Sequence, residues 1–384
     1  MLRLILTISF ISLLSACGGG GGGSSSSDVN NLPQLDLPEI KGSLGVGYQK
    51  ITITDETRNN RELFVDVWYP VDTIDFIANP VAKYDLGSNF SLPSSVAGDS
   101  LPISQENNRN LIVFSHGSGG LSTQVYPLME ILASQGFIVA APTHAGNAVG
   151  DNNDEQSVQV ANRAADMSFV IDQLLLLSNT PGDQFEGRVS AENIGTTGHS
   201  FGGVTALGTA VGFGDAPADL RVTATMPVAG FFFNAAAPIT ETQYKSLNIP
   251  TLLLGGTLDE SVDIENNREA FAAIDSSPVY NVEIVGAGHQ HFTNACDISD
   301  LVLNLLGSFD AVDALIPGAG TRLQAIDEET CVPEAFSIDE SLRIQNLYAV
   351  AFFKKYLQND NSFDDYLTER YAELNEPDVT FQEK

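Results

Sequence analysis

Apolar positions along this chain change their spacing several times, and each change marks an element. Residues 48–54 and 63–69 alternate or run apolar on either side of the polar segment 55–61, which predicts an antiparallel strand pair. Residues 71–109 are rich in Pro, Ser, Asn and Asp and read as loop. Beyond them, short apolar runs alternate with stretches of helical period. Strands are expected at 110–115, 137–141, 194–198, 221–228, 250–255 and 279–285, and helices at 124–133, 161–177, 266–274 and 340–357. The 161–177 segment shows the helical spacing through Met167, Val170, Ile171, Leu174 and Leu175. Repeated strand–helix alternation with wholly apolar strands predicts an α/β fold: a mostly parallel sheet with helices on both faces and antiparallel strands at its N-terminal edge. No internal repeat is visible.

One expected strand–helix junction carries chemistry. Gly198-His199-Ser200-Phe201-Gly202 is a G-x-S-x-G pentapeptide, with strand signal before it and helix signal after it. A chain turning that sharply throws the serine Oγ out at the top of the sheet, and the flanking glycines leave room for the backbone. A serine hydroxyl is a poor nucleophile without a base. Of the five histidines, His289 follows an apolar strand on a glycine-rich loop, where a base can reach over the sheet. His291 is the weaker rival, and His199 lies on the strained turn with its ring directed away from Oγ. His116 and His144 precede the serine and read as support near the pocket. An orienting acid is expected between nucleophile and base. Asp259 is the first acid after the 250–255 strand, with Glu260 and Asp263 as neighbouring rivals. The order Ser200, Asp259, His289 is the one this type of sheet requires. The oxyanion needs two backbone N–H groups. Phe201 supplies one, and the loop Ser115-His116-Gly117-Ser118-Gly119-Gly120, just past a buried strand, supplies the other. Neither glycine stretch is a phosphate loop, because no Lys-Ser/Thr follows.

Composition narrows the partners. The 384 residues carry a net charge of −31 with only 18 basic residues, which argues against nucleic acid. At the N-terminus, Met1-Leu2-Arg3 precedes an apolar run over residues 4–14, the pattern of a secretory signal and too short for a permanent span. It ends Leu14-Ser15-Ala16-Cys17, which resembles the lipobox of bacterial lipoproteins; an ordinary signal peptide is the alternative. The resemblance implies cleavage after residue 16, lipid on Cys17 and, with Gly18 next, anchoring at the outer membrane on its periplasmic or outer side. Residues 18–27 are a Gly/Ser tether, and the folded domain is expected over 44–384. That leaves Cys296 and Cys331, most simply a disulfide outside the cytoplasm, with two buried thiols as the alternative.

Phe114 to Gly120, Gly198 to Gly203, Gly255-x-Thr257-x-Asp259, Gly288-His289-Gln290-x-Phe292, Val67-Trp68-Tyr69-Pro70 and Ala351-Phe352-Phe353 together resemble a group of bacterial α/β-hydrolases called predicted dienelactone hydrolases. These are similar to platelet-activating-factor acetylhydrolase and, more distantly, to polyester hydrolases. The resemblance spans about residues 44–358 and places the second oxyanion donor on Ser118. Dienelactone hydrolases themselves use a cysteine nucleophile, so Ser200 argues against that substrate. The segment 294–341, which holds both cysteines, is longer than the resemblance requires and reads as a cap or a rim beside His289. Trp68 reads as core, Arg163 and Asp166 as structural. Phe231, Phe232 and Phe233 read equally as acyl-pocket lining or as packing under a loop. The expectation is a monomeric serine esterase that forms an acyl-enzyme from a small or short-acyl ester, with no metal or organic cofactor. A phospholipase A2-like acylhydrolase, a polyester hydrolase and, outside enzymes, a non-catalytic surface-binding lipoprotein are the alternatives.

Overall fold

The computed structural model describes residues 41–384 apart from 73–80, 88–89, 231–238 and 277. The signal sequence, Cys17, the tether and Phe231 to Phe233 lie outside the described residues. The strands are β1 Gly45–Asp55, β2 Arg61–Val71, β3 Val81–Gly87, β4 Phe90–Asp99, β5 Leu111–Ser115, β6 Ile138–Thr143, β7 Ile194–His199, β8 Val222–Val228, β9 Thr251–Gly256, β10 Val279–Ile284 and β11 Val379–Glu383. They form one sheet in the order β11-β10-β9-β8-β7-β5-β6-β2-β1-β4-β3. β6, β5, β7, β8, β9 and β10 run parallel to one another, and β1 pairs in parallel with β4. The β1–β2, β2–β6, β3–β4 and β10–β11 pairs are antiparallel.

Every residue of β5 and β7 is buried, as their unbroken apolar or small composition requires for strands covered on both faces. The helices are α1 Tyr126–Ser134, α2 Gln156–Ser178, α3 Phe201–Val211, α4 Glu241–Ser246, α5 Glu265–Ala273, α6 Ala295–Leu306, α7 Asp310–Asp313, α8 Ala319–Thr330, α9 Ile338–Gln358 and α10 Glu369–Asn375. Met167, Val170, Ile171 and Leu174 of α2 pack on Leu111, Val113, Ile138 and Ile194. Val204 and Leu207 of α3 pack with Leu253, Ala270 and Val279. α9 lies over β7, where a methyl group at Gly195 would come within 2.8 Å of the Phe353 ring. Phe353 in turn meets Phe137 edge-on at 6.4 Å. Trp68 is fully buried, and its Nε1–H donates to Tyr84 Oη at 3.0 Å.

Two stretches differ from the sequence reading. Residues 71–109 are not all loop, since they contain β3 and β4. In β3 the exposed Val81, Lys83 and Asp85 alternate with the buried Ala82, Tyr84 and Leu86, a period-two signal masked by the polar residues around it. β4 carries Pro93 and pairs with β3 through register shifts, so its ladder is irregular where proline removes a donor. The second difference is β11, which adds the C-terminal residues to the sheet edge beside β10.

The 294–341 segment contains α6, α7 and α8. The Cys296–Cys331 disulfide ties the start of α6 to the end of α8 across a separation of 35 residues. On the chain-entropy view a closed loop of that length contributes roughly 3–4 kcal/mol.

Candidate active site

The C-terminal ends of four parallel strands converge on one edge of the sheet, where ligands bind in open α/β folds. β5 leads into the His116–Gly120 loop, β7 into Ser200, β9 into Asp259 and β10 into His289. Ser115 is in register with Gly198, which sets the first two loops side by side.

Ser200 sits at φ 58°, ψ −121°, a region non-glycine residues rarely occupy. Its N–H donates to the Val228 carbonyl at 2.8 Å, and α3 starts at the next residue. His289 Nε2 lies 2.9 Å from Ser200 Oγ, and His289 Nδ1 lies 2.7 Å from Asp259 Oδ2. A carboxylate only accepts, so Nδ1 carries the proton and Nε2 presents its lone pair to the serine hydroxyl. The other Asp259 oxygen accepts the N–H groups of Ser261 at 2.9 Å and Val262 at 2.7 Å. Asp259 and His289 are both buried, while Glu260 and Asp263 are exposed. The acid and base loops are joined by Leu258 N–H to the Ala287 carbonyl, 3.0 Å, and by Gly286 N–H to Thr257 Oγ1, 2.9 Å.

Two of the other histidines bind backbone groups. His291 lies 3.0 Å from the Gly288 nitrogen and 2.9 Å from the Phe336 carbonyl, away from Ser200. His199 Nε2 meets the His289 carbonyl at 2.8 Å, and its Nδ1 meets Gln124 Nε2 at 2.9 Å. Gln124 Oε1 then accepts the Gly117 N–H at 3.0 Å, joining the base loop to the oxyanion loop. Ser118 is exposed at that loop, and no described residue accepts its N–H.

Beneath the oxyanion loop lies a buried network that sequence spacing did not reveal. Arg163 donates from Nη2 to Ser115 Oγ at 3.1 Å and to the His116 carbonyl, and from Nη1 to Asn147 Oδ1. Its guanidinium also stands 4.6 Å from the centre of the Phe201 ring. His144 bridges Ser115 Oγ and Asp166 Oδ2, each at 2.9 Å. Asp166 also accepts from Arg58 at 2.6 Å and twice from Arg61 at 2.8 Å. These partners are up to 108 residues apart in sequence, which is why no local motif announces them. Burial alone would raise the Asp166 carboxyl. The bonds from Arg61 and His144 outweigh it and hold the group ionised far below the usual carboxylate range.

Burial, with Arg163 close by, pushes the His144 imidazole from 6.5 down to about 4. Burial likewise drives His116 and His199 well below the ordinary value. Acid therefore favours the unfolded chain, whose imidazoles take up protons at a higher pH than the folded ones. Stability should be complete above about pH 6.5 and fall toward pH 4, by about 3 kcal/mol for His144 alone. Urea unfolding at pH 7.5 and 4.5 reads this directly. A midpoint that does not drop on acidification contradicts the buried neutral histidines.

Above Ser200 lies a cavity of about 390 Å³. Its walls include Ser118, Gly119, His199 and His289 on the sheet side, and Ile298, Val302, Val312, Ile316, Leu323 and Ile326 on the insertion side. The disulfide-tied 294–341 segment thus gives the cavity an apolar wall.

The sequence profile of the chlorophyllase family matches residues 100–374, a span that takes in the 115–120 loop, Ser200, Asp259 and His289. The chain belongs to the chlorophyllase family. It is an α/β-hydrolase serine esterase, a carboxylic ester hydrolase, and its substrate is a small-molecule ester. Among solved structures it is similar to a ferulic acid esterase from Streptomyces cinnamoneus, with a TM-score of 0.60 and 24% identity, covering 91% of this chain and 98% of that one. That likeness concerns the α/β-hydrolase fold. No curated protein matches the chain.

Proposed function

We propose that this chlorophyllase-family esterase works through an acyl-enzyme on Ser200. The observation that carries the reading is the unbroken chain from Ser200 Oγ through His289 to Asp259, at 2.9 and 2.7 Å. Ser200 attacks the ester carbonyl as its proton passes to His289 Nε2. Asp259 holds the ring and stabilises the imidazolium. The N–H groups of Phe201 and Ser118 receive the oxyanion, each donor lowering the barrier by roughly 3–4 kcal/mol. His289 returns the proton to the leaving alcohol, and water releases the acid by the reverse path. Small, short-acyl esters are the favoured substrates. The apolar wall of the cavity supports a second reading, in which a longer, lipid-like acyl chain lies along α6 and α8, as in a phospholipase A2-type acylhydrolase. Rates on 4-nitrophenyl esters from acetate to decanoate test both. A peak at acetate or butyrate favours the first, a rise toward decanoate the second. Rates no faster than spontaneous hydrolysis would contradict both.

We further propose that residues 1–16 are a signal peptide and that lipid on Cys17 anchors the domain to the outer membrane. The Leu14-Ser15-Ala16-Cys17 sequence and the Gly/Ser tether support this. Cys17→Ser should move the protein from the membrane fraction to the soluble one. Retention in the membrane fraction would count against lipidation.

A further inference from the structure

The sequence holds 49 acidic and 18 basic residues, yet the charge lining the cavity over Ser200 is of the rarer sign. Among the described residues, Arg322 is the one Lys, Arg, Asp or Glu in its wall. Arg322 comes from α8, in the disulfide-tied insertion. Its Nη1 donates to the Ser118 carbonyl at 3.0 Å and the Gly119 carbonyl at 3.2 Å, which fixes the guanidinium plane beside the oxyanion loop. The guanidinium has five N–H donors, and these two carbonyls engage one nitrogen. No carboxylate among the described residues pairs with it.

A second donor stands next to it. Asn152 Oδ1 accepts from Asn147 Nδ2 at 2.7 Å and from Gln159 Nε2 at 3.3 Å, which turns its own Nδ2 toward the cavity. A methyl group on Gly119 would meet Arg322 Nη1 at 3.0 Å and Asn152 Nδ2 at 3.2 Å, so the two donors flank the same residue. Gly119 adjoins Ser118, the proposed oxyanion donor. A clamp on two neutral carbonyls needs no charge, and because Arg322 is exposed its remaining N–H groups are open to a ligand in the cavity.

We propose that Arg322 and Asn152 form an anion subsite for the substrate, selecting esters that carry a carboxylate or phosphate group a few bonds from the scissile carbonyl. This rests on the proposed serine mechanism and adds a substrate class to it. The charged group would pair with the free face of the guanidinium while the apolar part of the substrate lies along α6 and α8.

The test compares matched esters in the wild type and in Arg322→Gln. Mono-4-nitrophenyl succinate against 4-nitrophenyl butyrate reads a carboxylate, and 1,2-dibutyrylglycerol 3-phosphate against tributyrin reads a phosphate. In at least one pair the ratio of kcat/KM, anionic over neutral, should fall about tenfold or more in the variant, with partial recovery in Arg322→Lys. The pair that responds names the anion. Ratios within about twofold of the wild type in both pairs would overturn the subsite, whatever happens to the overall rate. Binding of monoethyl succinate and of 1,2-dibutyrylglycerol 3-phosphate to Ser200→Ala, by calorimetry, gives a readout that needs no turnover. Adding Arg322→Gln should weaken at least one Kd about tenfold, and two unchanged values would count against the proposal. Failure of the serine mechanism shows separately, as Ser200→Ala turning over esters at the wild-type rate.

Discussion

Replacing Ser200 with alanine is expected to lower kcat on 4-nitrophenyl butyrate by about 10⁴- to 10⁶-fold. The expectation follows from the division of labour at the sheet edge. The elbow holds Oγ at the end of β7 by a backbone strained to φ 58°, and the imidazole proposed to take its proton lies 2.9 Å away. On the proposed mechanism no acyl-enzyme forms without Oγ, and only the proposed oxyanion donors and substrate binding remain. His289→Ala should cost a similar amount, because an unactivated hydroxyl is nearly as inert as none. The double substitution should cost little more than either single one, since the two groups act as a unit. Ser200→Ala activity within tenfold of the wild type, or losses that multiply in the double variant, would contradict this account.

The second large effect concerns the elbow itself. Gly202→Ala should destabilise the protein by about 4 kcal/mol or more, because the added methyl has nowhere to go. It would stand 1.8 Å from the Ser115 carbonyl oxygen and 2.8 Å from that of His116. Both are backbone atoms where β5 passes into the loop that carries the proposed oxyanion donor Ser118, so neither can swing aside as a side chain would. Gly203→Ala should be milder, with its nearest contact, the Val228 carbonyl oxygen, at 2.9 Å. The urea midpoint of each variant measures the order. A Gly202→Ala protein that unfolds with the wild type would mean the elbow is packed more loosely than its geometry implies.

Much of the candidate site was legible in the sequence because it is local. Glycine spacing marks the elbow, and an apolar strand ahead of Asp259 and His289 puts each on the same sheet edge as Ser200. The α/β fold was legible for the same reason, since continuous apolar strands alternate with helical spacing. What the sequence hid is long-range. Arg163, Asp166 and Arg61 look like ordinary charged residues until the fold stacks them under the oxyanion loop. Arg322, exposed on α8, gives no local signal that its guanidinium reaches the Ser118 carbonyl, 204 residues earlier in the chain. β3 and β4 were hidden by composition rather than distance, because polar strands near the sheet edge, one of them with a proline, read as loop.

The most direct test of the central claim, that Ser200 is the nucleophile, is labelling with diethyl 4-nitrophenyl phosphate followed by peptide mass spectrometry. The account predicts stoichiometric release of 4-nitrophenol, a diethylphosphoryl group on the peptide carrying Ser200, and no label in Ser200→Ala. A label on another serine of the site, such as Ser115 or Ser118, or full esterase activity with no label at all, would contradict it.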